Sequence, residues 1–268
     1  MDGDRHDWQA DLALILEAAR EAGKVAHSYF GQSPEVWWKN EGRSPVSAAD
    51  FAANDRLEKL LVAARPNYGW LSEETDDDSA RLTRETLFVV DPIDGTRAFI
   101  AGEKTWCVSV AVVHRGQPVA GVLVAPALDE EFWASVGQPA LKNGEPIEVS
   151  HPDPSLPLTL ALAEDLLHKM APSYQHGIRR VRHVPSLAYR LAMTADGSID
   201  GTIVKRNSHD WDLAAADIIL ERAGGLLVDT NGHRLVYNRE SVTHGILLAG
   251  TEVALDKLRT FMPDEPAD

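Results

Sequence analysis

The sequence predicts a layered α/β protein: an α+β half built on an antiparallel sheet, then an α/β half, with the site between them. Strand-type runs at about 106–114 and 118–125 are joined by the turn Arg115-Gly116-Gln117-Pro118. A strand from Glu131 to Ser135 and a hairpin at Asn143-Gly144 extend them into a meander. From residue 158 onward strands alternate with helices, the pattern of a mostly parallel layer. The 268 residues, 44% of them hydrophobic, suffice for one large domain or two fused layers around a substantial core. His151-Pro152-Asp153-Pro154-Ser155-Leu156-Pro157 is the natural boundary between halves 1–150 and 151–268.

In chain order, Trp8, Leu12, Ile15, Leu16, Ala19, Gly23 and Ala26 fall at helical spacing. Residues 7–30 therefore read as one amphipathic helix ending near Gly31. Trp37-Trp38-Lys39 reads as a short strand and Asn40 to Pro45 as a polar loop. A helix from Ser47 to Arg65 turns Leu57, Leu60 and Leu61 inward and is ended by Pro66. Trp70-Leu71-Ser72 is a short strand meeting Glu73 and Glu74, and Asp76-Asp77-Asp78 is a solvated acidic run. The second half reads as strand 158–163, helix 164–171, strand 179–184, helix 186–196, strand 199–205, helix 211–224 and strand 225–229. Strand 245–249 and a helix at 251–261 finish it.

The balance of 26 Lys+Arg against 41 Asp+Glu gives −15, which argues against nucleic acid and against an anionic membrane surface as partners. An anionic substrate must then be attracted locally, by a metal or a few basic side chains. Cys107 is the one cysteine, so neither a disulfide framework nor a cysteine zinc site is expected, and its apolar neighbours mark a buried strand thiol. Met1-Asp2-Gly3-Asp4 lacks the basic and apolar regions of a signal peptide, and no apolar run approaches membrane-spanning length. A cytoplasmic protein is the expectation.

Chemistry concentrates at Leu87-Phe88-Val89-Val90-Asp91-Pro92-Ile93-Asp94-Gly95-Thr96. An apolar strand delivers Asp91 to the sheet edge, Pro92 stops further pairing, and Gly95 allows a close turn into a short helix, 96–100. Two acids three residues apart on such a turn repel unless a cation lies between them, and hard ions such as Mg²⁺ take such oxygen ligands. The following amides, from Gly95 and Thr96, suit a phosphate. An Asx turn with solvated acids explains Asp-Pro or Asp-Gly alone. The full string Asp91-Pro92-Ile93-Asp94-Gly95-Thr96 resembles the signature of the inositol monophosphatase superfamily, lithium-sensitive Mg²⁺-dependent phosphatases.

Three further segments resemble the same superfamily. Ser44-Pro45-Val46-Ser47-Ala48-Ala49-Asp50 is similar to its loop-and-helix entry, although Asp50 also stands three residues after Ser47 as in a capping box. Leu71-Ser72-Glu73-Glu74 is similar to its Glu-Glu element, although an exposed loop would look the same. Trp211-Asp212 through Gly224-Gly225 is similar to its second signature, although an acid in a first helical turn is also favoured by the dipole; Asp217 lies beyond the matching position and reads as structural. The resemblance spans about residues 7–260 and implies an αβαβα sandwich and a homodimer.

By this resemblance Glu73, Asp91 and the Ile93 carbonyl hold one Mg²⁺, while Asp91, Asp94 and Asp212 hold a second; a weaker third near Glu73 is allowed. Asp50 and Thr96 orient and deprotonate the attacking water, Glu74 supports Glu73 from behind, and the Gly95 and Thr96 amides cradle the phosphate. The reaction so implied is direct hydrolysis of a small phosphorylated metabolite, with two metals about 4 Å apart activating the water and stabilising the leaving alkoxide.

Substrate choice is open at this stage. Lys205, followed by Arg206, stands seven residues before Asp212, where the inositol-specific branch commonly has a glutamate; the pair either donates to a second acidic group of the substrate or simply faces water. Ser44 to Asp50, Leu71 to Glu74 and Gly95-Thr96-Arg97-Ala98-Phe99-Ile100 look more like the 3′(2′),5′-bisphosphate nucleotidase branch. Pro185-Ser186-Leu187-Ala188, where Ser186 is a candidate substrate contact, lacks that branch's lysine; Arg190 or Lys205 would have to compensate. His209 either touches substrate or packs. The first expectation is a bisphosphate nucleotidase; an inositol-1-monophosphatase or histidinol phosphatase is the alternative. An inactive regulator or scaffold on the same fold is the reading from another class, which the presence of all the expected ligands disfavours.

Overall fold

The structure, a computed structural model, describes residues 8–32, 35–39, 44–162, 175–182 and 184–261. Its centre is a seven-stranded sheet in the order β3-β4-β5-β6-β7-β8-β9. These strands are β3 (Gly69–Ser72), β4 (Thr86–Asp94), β5 (Cys107–His114), β6 (Gln117–Ala125), β7 (Glu130–Ser135), β8 (Leu141–Lys142) and β9 (Glu145–Pro146). Apart from the parallel pair β3/β4 the sheet is antiparallel, as the meander predicts.

Each strand's alternation sends side chains to two different cores. Phe88 and Val90 of β4 join Leu12, Ile15, Leu57 and Leu61 from α1 (Trp8–Tyr29) and α2 (Ala48–Ala64). Leu87 and Val89 join Leu191, Leu213 and Ile219 on the other face, from α4 (Leu187–Ala195) and α5 (Asp210–Arg222). Burial on both faces explains why these strands read as unbroken apolar runs. Between β4 and β5 lies the short α3 (Thr96–Ile100).

A second sheet of five strands, order β11-β10-β12-β16-β14, covers the far side of α4 and α5. It comprises β10 (Leu158–Ala161), β11 (Ile178–Val181), β12 (Gly201–Val204), β14 (Leu226–Asp229) and β16 (Leu247–Gly250). β10 is parallel to β11 and β12, whereas β16 runs antiparallel to both β12 and β14. The mostly parallel expectation thus holds, with one reversed strand. Val204, Leu227 and Ala249 face α4 and α5; Ile203, Val228 and Leu248 face α6 (Glu252–Phe261) with Leu255 and Leu258. The order of layers is therefore αβαβα. Apolar contact runs unbroken from Leu71 to Ala249, across the 151–157 segment. No helix among the described residues is long and apolar enough to cross a membrane.

Several local expectations are corrected. Ser44 and Pro45, read as the end of a loop, belong to β2 (Ser44–Ser47), which pairs antiparallel with β1 (Val36–Lys39), placing Pro45 opposite Trp38. Pro92 does not stop pairing: β4 resumes with Asp94 opposite Cys107, after a register shift between Asp91 and Asp94. A proline is tolerated there because the bulge asks no ladder bond of it. The acidic run is exposed but not idle. Asp77 pairs with the buried Arg81 (2.5 Å), and Asp78 caps the 3₁₀ turn Ser79–Thr83 that the sequence did not announce. The two-residue strands β13 (Ser208–His209) and β15 (Thr243–His244) were likewise unexpected. The expected helix 164–171 lies outside the described residues.

How α5 sits on the central sheet depends on Gly121 of β6. A Cβ there would lie 2.5 Å from Ile218 Cγ2, 2.6 Å from the Ala215 carbonyl oxygen and 2.8 Å from the Ala215 Cα. Backbone cannot yield as a flexible side chain does. Gly121→Ala is expected to cost about 3 kcal/mol, and because the displaced helix carries Asp212, activity should fall with stability. A urea midpoint within error of the parent would refute this.

Candidate active site

Two helices, α2 and α5, start in the same way. At the head of α2 the Ser47 N–H and hydroxyl donate to Asp50 Oδ2 at 2.8 and 2.6 Å. At the head of α5 the His209 N–H donates to Asp212 Oδ2 at 2.7 Å. Each acid stands at the third helical position and closes a capping box, satisfying a backbone donor that the helix start leaves over. The cap reading is thus true of both acids, and in each it engages Oδ2, leaving Oδ1 outside the cap.

The bulge in β4 brings Asp91 and Asp94 together with Asp212, so that one carboxylate oxygen of each lies within 4.8 Å of the others. Asp91 Oδ1 accepts the Ile93 N–H at 3.0 Å. Asp94 Oδ2 accepts the Ser186 hydroxyl and, at 2.7 Å, the Ala188 N–H, so the first turn of α4 grips it from across the chain. The other oxygen of Asp91 and of Asp212 has no hydrogen-bond donor among the described residues, and Asp94 takes a further backbone bond from Leu187. The protein thus fixes one side of each carboxylate and brings an oxygen of all three into a common space.

Such a cluster resists ionisation. Burial, then the charges of Glu73, Asp94, Asp212 and Asp50, push the Asp91 carboxyl well above its usual range. Burial, then the Asp212 charge, push Asp94 up to about 7, although the bonds from Ser186 and the start of α4 pull the other way. Burial also raises Asp50. A divalent cation among the three carboxylates reverses the sign of the problem, because it favours the ionised form of every ligand at once. All-oxygen donors of this kind suit Mg²⁺ and not a soft metal.

Asp91, Asp94 and Asp212 open onto a cleft of about 510 Å³ that is also lined by Glu73, Ile93, Gly95, Thr96, Lys205 and Arg206. Glu73 stands on its wall, outside the three-acid group but close enough to raise Asp91. Thr96 Oγ1 lies 3.1 Å from both Asp50 Oδ1 and the Ile93 carbonyl oxygen. The hydroxyl has one proton to give, and giving it to Asp50 turns its lone pairs outward, ready to accept from a water. Gly95 is left-handed (φ 95°), and a Cβ on it would come within 3.0–3.3 Å of Ser186 Cβ, Cα and N. Only glycine lets this turn touch the start of α4.

Four other residues named from the sequence have visible structural work. Ser186, a candidate substrate contact, has its hydroxyl engaged by Asp94 and by the Tyr189 N–H, so its observed work is to hold Asp94. His209 packs: its ring stacks on Trp211 at 4.6 Å with the planes 6° apart. Asp217 is structural, accepting the Tyr237 hydroxyl at 2.7 Å. Cys107 is buried in β5, and burial raises its thiol well above the usual range. The grip of α4 on Asp94 has no local signal, since its partners stand 92 and 94 residues apart in sequence.

The sequence model described as the inositol monophosphatase family matches residues 7–259. The chain is 33% identical to a Streptomyces griseus protein named glucose-1-phosphate thymidylyltransferase, over 90% of this chain and 96% of that one. It is 31% identical to a histidinol-phosphatase of Chlorobaculum parvum (87% and 90% covered). To a 3′(2′),5′-bisphosphate nucleotidase CysQ of Aggregatibacter actinomycetemcomitans it is 30% identical (89% and 92%). Among solved structures, the extragenic suppressor protein suhB of Bartonella henselae superposes with a TM-score of 0.83 at 28% identity, over 96% of this chain and 100% of that one.

Proposed function

The chain belongs to the inositol monophosphatase family, and from that premise we propose that it hydrolyses a small phosphomonoester carrying a second anionic group, with a 3′(2′),5′-bisphosphate nucleotidase as the reading best supported. The carrying observation is the convergence of carboxylate oxygens from Asp91, Asp94 and Asp212 within 4.8 Å of one another, beside the Thr96–Asp50 pair.

In this reading Asp91, Asp94 and Asp212, with Glu73 and the Ile93 carbonyl, hold two Mg²⁺ ions, and a third near Glu73 is weaker. The ions supply charge neutralisation for a dianionic phosphate and a water acidic enough to attack at neutral pH. The chain supplies the rest. Thr96 Oγ1, donating its hydrogen to Asp50, would accept a hydrogen bond from the attacking water, and the proton that the water sheds would pass through Thr96 to the Asp50 carboxylate. The Gly95 and Thr96 amides face the phosphate oxygens, and Ser186 holds Asp94 in place from behind. Lithium, competing for one metal position, should inhibit.

The same geometry serves hydrolysis better than nucleotidyl transfer, the activity named for the Streptomyces relative, because the Thr96–Asp50 pair is suited to holding water. Among hydrolases, Lys205 and Arg206 on the cleft wall favour a doubly anionic substrate over inositol 1-phosphate or histidinol phosphate. Phosphate release from adenosine 3′,5′-bisphosphate, inositol 1-phosphate and histidinol phosphate, measured side by side with Mg²⁺, decides. The bisphosphate should lead by tenfold or more in kcat/KM, a margin of about 1.4 kcal/mol. Preference for inositol 1-phosphate would reject the nucleotidase, and no Mg²⁺-dependent release from any ester would reject the enzyme.

A further inference from the structure

The cleft is lined by side chains of both charges. Glu73, Asp91, Asp94 and Asp212 line it, and so do Arg97, Arg190, Lys205 and Arg206. Lys205 and Arg206 are exposed at the rim, as basic residues at a strand end usually are. Arg190 is different. It is 7% exposed, lies on α4 one turn beyond Ser186, and therefore shares a helix face with the residue that grips Asp94.

Arginine is seldom buried unless paired, since an uncompensated charge in the interior is costly. Yet the one hydrogen bond made by the Arg190 side chain among the described residues is from Nη1 to the Val184 carbonyl oxygen, at 2.8 Å. Its Nε is buried without any acceptor. Asp94 and Asp212 are near enough to favour its charge, but neither accepts a hydrogen bond from it. The hydroxyl of Ser208, 5% exposed and on the same cleft, is a second buried polar group without a partner. A planar donor fork with unmet donors, held rigid by burial and opening onto a substrate cleft, is suited to two oxygens of an anion.

We propose that Arg190 is a specificity-determining residue that binds the second anionic group of the substrate, a phosphate distinct from the one hydrolysed, with Ser208 as a supporting hydroxyl. The inference rests on the phosphomonoesterase reading above and deepens it. Lys205 and Arg206, exposed at the rim, draw an anion to the cleft; Arg190 fixes it and so sets which ester reaches the acids.

The test compares substrates that differ by one phosphate and share a leaving group. Wild-type protein, Arg190→Gln and Arg190→Lys are assayed with Mg²⁺ on adenosine 3′,5′-bisphosphate and adenosine 3′-monophosphate. The same comparison on inositol 1-phosphate and inositol 1,4-bisphosphate removes the base as a variable. Wild type should prefer the doubly phosphorylated ester of at least one pair by about 100-fold in kcat/KM. In Arg190→Gln that preference should shrink to under about tenfold, through KM and not kcat, with the charge-keeping Arg190→Lys between the two. Equal losses on both members of a pair, or a shift in the Mg²⁺ dependence with no change in preference, would overturn the proposal and make Arg190 a counterion of the acid cluster. Absence of preference in the wild type would overturn it too. Calorimetric binding of adenosine 5′-monophosphate against adenosine judges Arg190 without turnover. The nucleotide should lose about tenfold in affinity in Arg190→Gln while adenosine does not. If no ester is hydrolysed, the phosphatase reading fails, and this binding measurement still decides the role of Arg190, including for any variant whose melting shows that it is folded.

Discussion

Replacing Asp94 by asparagine is expected to lower kcat on any phosphomonoester by a factor on the order of 10³ while leaving the fold in place. The separation of effects follows from the two sides of the carboxylate. Oδ2 is the acceptor for Ser186 and for the Ala188 N–H, and an amide oxygen can take over that side, keeping α4 docked. The amide nitrogen is then turned to the space shared with Asp91 and Asp212, presenting protons where a cation needs a lone pair. Mg²⁺ titration of activity and thermal melting, run on the same preparation, check both halves. Full Mg²⁺-dependent activity in Asp94→Asn would sink the assignment of the metal site.

The second large effect is a dependence of stability on pH that changes with Mg²⁺. Asp94 is pushed from 3.8 up to about 7 in the folded chain, and Asp91 is raised as well. These are raised carboxyls, so the folded state keeps protons that the unfolded state has already released. Stability of the metal-free protein should therefore fall as pH rises from about 4 to about 7, by up to about 4 kcal/mol from Asp94 alone. With saturating Mg²⁺ the ionised acids are ligands, the preference reverses, and the loss should vanish. Asp217, also pushed up to about 7 by burial, slopes both profiles alike, so the gap between them belongs to the cluster. Melting temperatures measured across this range with chelator and with Mg²⁺ give the answer, and parallel profiles would contradict it.

The parts legible in the sequence were those with local chemistry. Asp91-Pro92-Ile93-Asp94-Gly95 announces a turn that concentrates charge, and the spacing of Ser47 and Asp50 announces a helix start. Both appear in the structure where expected. Less legible were features set by distant partners. Pro92 looked like a stop because a proline cannot donate to a ladder, and nothing local says that the neighbouring strand will accept a bulge. β2 contains a proline in a polar stretch and is defined by its pairing with β1, not by its composition. Ser186 reads from the sequence as a candidate substrate contact, whereas in the structure it caps α4 and its hydroxyl also reaches Asp94. Arg190 sits in an apolar helical pattern, where a long cationic side chain normally snorkels to water; only the layering of two sheets over α4 encloses it.

The paired helix starts at Asp50 and Asp212 have a practical corollary for anyone scanning this chain by mutagenesis. A library selected purely for folding would flag both positions as intolerant, because truncating either side chain strips a capping contact worth about 1 kcal/mol. Depletion in such a screen would thus be blind to chemistry, and the informative replacements are asparagines, which retain an acceptor for the cap while removing the charge.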